Sequence, residues 1–379
     1  MVTYLISIGV ICFCLLLAMN SLRLRYIAGI NTYRLIPSRF PVILIFLVLV
    51  GLYTFRWCNG TDFFNYYMDF YSNDIQSFDY VTEHRDVLFA LITYVTKNYI
   101  SDNFLVYNAM LAILTYAPVF IVMRIYSYNF SATVLLYIFS IACFIPYNIV
   151  RQGIAIAIMF GSFPFLIQKR YIKFMFCSFL AITFHSTAAI AAIIMIFCNS
   201  DFLSKRIKLL LVLFFGSGVF LRSIWDSFIN LLEAIGQTKL ATDYADALSG
   251  STGVNILHIL VALIPFFLIF ACRHRLLNNS DKNEYNFNSF YMNCILFYVG
   301  SVFLGLYNPI FVRMGKFFEI YLFLLYPKLI KETFVQNRMI TVVVLIVYFI
   351  YFLIVLQQGG NYVPYQFNHY SLEGIIMWK

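Results

Sequence analysis

Arg151 and His185 are the residues of this chain best placed to do chemistry, because each interrupts a segment that otherwise reads as lipid-soluble. Arg151 lies in Asn148-Ile149-Val150-Arg151-Gln152-Gly153, and His185 lies one helix later in Phe184-His185-Ser186. An ionisable side chain inside a membrane segment is costly and marks a substrate or a partner. Arg presents a planar fork of donors that matches phosphate oxygens and stays charged in a partly dry site. A lipid-linked pyrophosphate is therefore the expected ligand of Arg151, with Gln152 beside it. Arg56, Arg222 and Arg313 also fall near outer helix ends, against the insertion bias. Snorkelling, or pairing with an acidic loop, is the other reading, preferred for Arg222. His185 is either a general base, a donor to a hydroxyl or phosphate, or a buried group closing a helix junction.

Carboxylates and aromatic rings suggest a sugar. Asn59-Gly60-Thr61-Asp62 is a turn cluster that opens a tyrosine-rich stretch with Tyr66, Tyr67 and Tyr71. Sugar hydroxyls need acceptors and pyranose faces need flat apolar surface, which Asp62 and Tyr66 would supply. Asp62 as a helix N-cap is the alternative. Glu83 is a further candidate base in a loop of six acids. Tyr362 and Tyr365 are expected to fold over an outer cavity as an aromatic lid. His258 reads as structural, and His84, His274 and His369 say little.

The elements that must position these groups are membrane helices. Of 379 residues, 62% are hydrophobic and 11% charged, against roughly half apolar and a quarter charged in soluble domains. Apolar runs at 3–19, 41–57, 104–123, 131–148, 207–222, 254–271, 287–307 and 339–357 each approach the length of a bilayer-crossing helix. The first is read as a membrane helix and not a cleavable signal. The expected fold is an all-α polytopic integral membrane protein of about 11–12 membrane helices, one domain over 1–379.

Charge sets the sidedness. Loop 20–40 holds Arg23, Arg25, Arg34 and Arg39 without an acid, whereas 59–86 is rich in acids. By the positive-inside rule the first is cytoplasmic and the second external, as are 223–253 and 358–379. Basic clusters on both sides of 174–204 require that segment to enter and leave on one face. Two short helices, 172–184 and 186–198, meeting at His185 with Ser186 and Thr187 as N-caps, satisfy this. Each spans only about 20 Å, so their apex should line an outward-facing cavity. The segment 86–99 is expected to be an interfacial or re-entrant helix.

Eight scattered cysteines without C-x-x-C give no metal or disulfide framework. No P-loop, H-E-x-x-H, G-x-S-x-G or Asp-x-Asp occurs, so neither a metal nor another cofactor is expected.

The run Asn148–Ala155 with Phe184-His185-Ser186 resembles the EpsG-like family of bacterial polysaccharide polymerases, related in role to the Wzy-type O-antigen polymerases. Phe55-Arg56, Gly60-Thr61-Asp62 with Tyr66, Arg313 before Phe317-Phe318 and Tyr321, and Val363-Pro364-Tyr365 are similar to further segments of that family. Glu83-His84-Arg85-Asp86 departs from its Glu-Pro-Gly-like form. The resemblance implies an inner-membrane glycosyltransferase with a GT-C-like outward-facing cavity. It would join undecaprenyl-pyrophosphate-linked repeat units of O-antigen, lipopolysaccharide or capsule at the periplasmic face, adding the chain to the non-reducing end of another unit. Expected partners are those lipid-linked oligosaccharides, membrane lipid and a chain-length regulator; nucleic acid is not among them. A flippase or exporter of the same glycan, and a membrane acyltransferase using His185 as base, are the alternatives.

Overall fold

The computed structural model describes residues 1–27, 32–234, 256–278, 281–306 and 309–367. A lipid environment leaves each backbone N–H and C=O dependent on an internal partner, and this apolar chain meets that demand with helices. Helix α1 (Val2–Asn20) leads into an antiparallel hairpin, β1 (Arg23–Ile27) and β2 (Thr32–Ile36), then α2 (Arg39–Thr54) and a two-residue strand, β3 (Arg56–Trp57). The acidic segment folds as α3 (Phe63–Phe70), α4 (Asp79–Glu83) and the start of α5 (Val87–Val95). Helices α6 (Phe104–Tyr126), α7 (Phe130–Phe139), α8 (Val150–Ile167), α9 (Tyr171–Phe184) and α10 (Ala188–Cys198) follow. The remainder comprises α11 (Lys205–Ala234), α12 (Ile256–Asn278), α13 (Lys282–Leu304), α14 (Pro309–Thr333), α15 (Asn337–Gln358) and β4 (Gln366–Phe367).

Among the described residues α1, α6, α8, α12, α13 and α15 are long and apolar enough to cross a membrane, and α2, α5 with its following turn, α7, α9 and α10 are shorter apolar helices. The protein is an all-α polytopic membrane protein. Local signals place several helix ends. Asn103 and Asn129 accept backbone N–H bonds at the starts of α6 and α7, and Asp281 accepts from Glu284 N at the start of α13.

Two departures from the sequence expectations concern helix ends. The run 131–148 is not one helix: α7 stops at Phe139, Ile141 takes a left-handed φ of 69°, and a short 3-10 turn, Ile145–Tyr147, precedes α8. Pro146, lacking an N–H, sits in that turn. The run expected to end at 222 continues as α11 to Ala234, so the segment 223–253 begins as helix; its part from 235 lies outside the described residues. The paired short helices do occur, as α9 and α10 on either side of His185.

The chain divides into two compact units, Met1–Ala192 with Phe334–Lys379, and Ile193–Thr333. In the first, α6 packs against α2 and α8, α8 against α9, α1 against α2, and α7 against α15. In the second, α13 packs against α11, α12 and α14. Asn293 of α13 is buried there and donates to the Cys198 and Ser200 carbonyls, so its amide is satisfied away from water.

Candidate functional site

The site rests on a frame where three distant segments of the first unit meet. Arg56 is 1% exposed, its guanidinium held between the rings of Tyr53 (4.1 Å to the centroid) and Tyr147 (4.5 Å). It donates to the carbonyl oxygens of Asn59 (3.1 Å) and Tyr147 (2.9 Å). Two aromatic faces and two carbonyls offset the cost of burying the cation. The guanidinium of Arg56, one of the arginines expected to assist at the pyrophosphate, is taken up by these protein partners.

Asn148 joins the same frame. Its Oδ1 accepts from Thr61 N at 2.8 Å, and its Nδ2 donates to the Tyr362 hydroxyl at 3.0 Å. Asn59 Nδ2 donates to the carbonyls of Tyr362 and Pro364, both at 2.8 Å, and its Oδ1 accepts from Gln366 N. Gly60, at a φ of 97°, lets the turn approach so closely that an added Cβ would lie 2.3 Å from the Tyr147 carbonyl oxygen. The two tyrosines expected to form an aromatic lid bond to this frame. Tyr362 is 6% exposed, and the Tyr365 hydroxyl donates to Leu52 O at 3.0 Å. Both turn inward as fasteners of the 359–367 segment.

Above this frame opens a cavity of about 250 Å³ lined by Asp62, Asn65, Tyr66, Asp69, His84, Phe89 and Arg151. Helix α3 supplies Asn65, Tyr66 and Asp69 at positions that share one face, and Asp62 stands at its N-cap. The Asp62 carboxylate accepts from Thr61 Oγ1, and Asp69 accepts from the Tyr80 hydroxyl at 2.6 Å. Burial, followed by the Asp69 carboxylate, pushes the Tyr80 hydroxyl well above the ordinary tyrosine range, so it remains a donor. Arg151 enters from the first turn of α8. Its Nη1 donates to Asp86 Oδ2 at 2.9 Å, and its Nε reaches the Tyr66 hydroxyl at 3.5 Å.

Asp86 is the buried counter-charge of the site. Its side chain is 5% exposed, against 37% for Arg151 and 28% for His185. Burial opposes the Asp86 charge, but His185 and Arg151 outweigh it and hold the carboxyl below its ordinary range. The His185 Nδ1 stands 4.0 Å from Asp86 Oδ2, an electrostatic neighbour too distant for a hydrogen bond. Asp86 N donates to His84 Nδ1 at 3.0 Å, which assigns the His84 proton to Nε2 and makes that nitrogen a donor.

Of the residues expected from sequence, the structure brings Asp62, Tyr66 and Arg151 to the cavity, with His185 beside Asp86. Gln152 is 3% exposed and packs within the helical core. Arg313 is exposed on α14 of the second unit. Ser186, expected as an N-cap, instead accepts from Arg85 Nη2 at 2.7 Å. Sequence reasoning missed Asp86, Asp69 and His84. The one signal for Asp86 was its place directly before the apolar run of α5. Glu83, its neighbour in sequence, is exposed.

A carboxylate-lined, aromatic-backed hollow with one partly exposed guanidinium suits a polyol bearing an anionic group. No curated protein and no solved structure matches the chain. The model of the EpsG family matches residues 39–367, which include every element of the cavity and its frame, and the protein belongs to that family of Wzy-like membrane polymerases.

Proposed function

We propose that the protein is the repeat-unit polymerase of a surface polysaccharide, using undecaprenyl-pyrophosphate-linked glycans at the outer face of the cytoplasmic membrane. The observation that supports this most is the meeting of Asp62, Asp69 and Arg151 around one small cavity. The carboxylates accept hydroxyls of the acceptor sugar, and Tyr66 and Phe89 offer apolar faces to its ring. One carboxylate, Asp62 or Asp69, takes the proton as the acceptor hydroxyl oxygen attacks the anomeric carbon of the donor chain. The anomeric C–O bond breaks as the new glycosidic bond forms, and the electron pair leaves with the lipid pyrophosphate.

Negative charge then develops on the departing pyrophosphate oxygen, where a fixed guanidinium stabilises the transition state more than the ground state. Arg151 has the placement for this, since its pairing with Asp86 uses one edge of the guanidinium and 37% of the side chain stays accessible. Arg313 is a further cationic candidate, on the evidence of its sequence position and its exposure. His185 acts through Asp86, and not on the sugar, because Asp86 is the charged group beside it. Holding both reactants in line contributes much of the remaining acceleration.

The test is a gene deletion complemented with wild type, Arg151→Ala or Asp62→Asn, each checked for membrane expression, with surface polysaccharide read as a gel ladder. Wild type restoring the ladder, with Arg151→Ala leaving a single lipid-linked unit at the outer face, is the expected result. A unit trapped on the cytoplasmic leaflet after deletion would assign a flippase instead. A ladder lacking only acyl groups would assign an acyltransferase.

A further inference from the structure

We infer that the first unit holds an anionic phospholipid in the groove between α2 and α6, at the end remote from the cavity. The groove encloses about 430 Å³ between Val42 and Phe46 of α2 and Ala117 and Ile121 of α6, with Arg39 and Arg124 at its lip. Its position follows from the two helices. From Arg39, α2 climbs about 22 Å at 1.5 Å per residue before reaching the frame around Arg56. Helix α6 begins at Phe104, whose ring packs at 5.5 Å on Phe63 and 5.1 Å on Tyr67 beside the cavity, and carries Arg124 in its last turn about 30 Å away.

Among the described residues the charge at this lip has no acidic counterpart. The chain has no acidic residue before Asp62 and none between Asp102 and Asp201. Among the described residues no carboxylate pairs with Arg39 or Arg124. Arg25 and Arg39 instead repel Arg124, and Arg25 stands directly across the hairpin from Arg34. Like charges so opposed are destabilising unless an anion lies among them. Arg124 is nevertheless held in place, its Nε donating to Pro37 O at 3.0 Å, which spends one of its five N–H donors. Arg34 is anchored likewise, donating to Tyr126 O at 2.9 Å.

The hairpin points to a lipid as the source of that anion. Leu24, Tyr26, Tyr33 and Leu35 are each more than half exposed on one of its faces, while Arg23, Arg25 and Arg34 alternate onto the other. Exposed tyrosines and leucines backed by arginines suit the headgroup layer, where rings and guanidinium groups both find partners. The walls below Arg39 and Arg124 are hydrocarbon for two helical turns, a length that accommodates an acyl chain and offers a free anion nothing. The site therefore takes a diacyl lipid whose headgroup phosphate is bridged by Arg39 and Arg124. It does not depend on the polymerase reading.

Native mass spectrometry on the full-length protein in detergent tests this, with phosphatidylglycerol and phosphatidylethanolamine of identical chains and inorganic phosphate as the free-anion arm. Wild type is expected to retain phosphatidylglycerol at least about tenfold better, because its headgroup is a net anion, whereas the ammonium of phosphatidylethanolamine offsets its phosphate charge beside the two guanidinium groups. Arg39→Gln with Arg124→Gln should abolish the preference, and Arg124→Lys should keep most of it. Ala117→Phe, which fills the groove while leaving both arginines, should lower retention of both lipids and decides the matter should the double variant not fold. Equal retention of the two lipids by wild type, wild-type retention by Ala117→Phe, or displacement of phosphatidylglycerol by millimolar inorganic phosphate would each overturn the inference.

Discussion

Replacing Asp86 with Asn isolates the buried pair that orients Arg151. The substitution keeps shape and one acceptor but removes the charge. The pair has a single contact of 2.9 Å and is not bidentate, and its two ends differ: the carboxylate is 5% exposed and the guanidinium 37%. A charge-assisted hydrogen bond is worth about 1.5–3 kcal/mol, and the solvent reaching Arg151 places this one at the lower end, about 1–2 kcal/mol. If Asp86 serves only to hold Arg151 in its productive orientation, Asp86→Asn should slow chain extension about 5- to 30-fold. Arg151→Gln should cost about 100-fold or more, the usual loss on removing a donor aimed at developing charge. The double variant should resemble Arg151→Gln alone, because a positioning residue has nothing left to position. The assay is extension of a lipid-linked repeat unit by protein in proteoliposomes, with initial rates taken from resolved chain lengths. Additive losses in the double variant, or full activity in Asp86→Asn beside an inactive Arg151→Gln, would refute the coupling.

The same carboxylate gives a pH prediction. Its folded-state pKa lies below the ordinary value, so its stabilisation is complete above about pH 4 and is lost as pH falls through the folded value. The Tm difference between wild type and Asp86→Asn should be constant near neutrality and close only in acid; a difference closing between pH 6 and 8 would contradict it. Gly60→Ala must accommodate a methyl 2.3 Å from a backbone oxygen at positive φ, and should lower stability by about 3 kcal/mol in a detergent unfolding assay. Asn59→Ala removes two donated bonds and one accepted bond and should cost about 2–3 kcal/mol, exposing 359–367 to protease while α15 stays protected.

Features governed by hydropathy and by the spacing of basic clusters were legible in the chain. The break at His185 could be read because two basic clusters forced 174–204 to turn back, an argument needing no tertiary contact. Arg151 stood out because a cation in an apolar run is costly wherever it points. Direction was the limit. Arg56 and Arg151 look alike in sequence, yet one faces Tyr53 and Tyr147 and the other faces the cavity; helix rotation, set by packing, decides between them. The inward hydrogen bonds of Tyr362 and Tyr365 were hidden for the same reason, since a tyrosine near an interface serves equally as lid or as fastener. Asp86 was hidden among six acids in one loop, and its partner lies 65 residues away. The run 131–148 is a different case: Pro146 in the sequence argues against one continuous helix, but it lies seven residues beyond Phe139, where α7 ends.

The pairing of β3 with β4 joins residue 56 to residue 367, and Asn59, Gly60 and Asn148 all take a partner from 359–367. That orders biogenesis. A chain emerging from the insertion machinery has every cavity-lining residue synthesised by the time α8 has passed, but not the segment that pins their support. Only when α15 has been released does the 56–60 turn receive its last bonds, so a nascent or prematurely terminated chain carries the lining residues without the pinned frame. On the proposed function, activity is thereby tied to synthesis through residue 367, because the bonds of 359–367 hold the frame beneath the cavity.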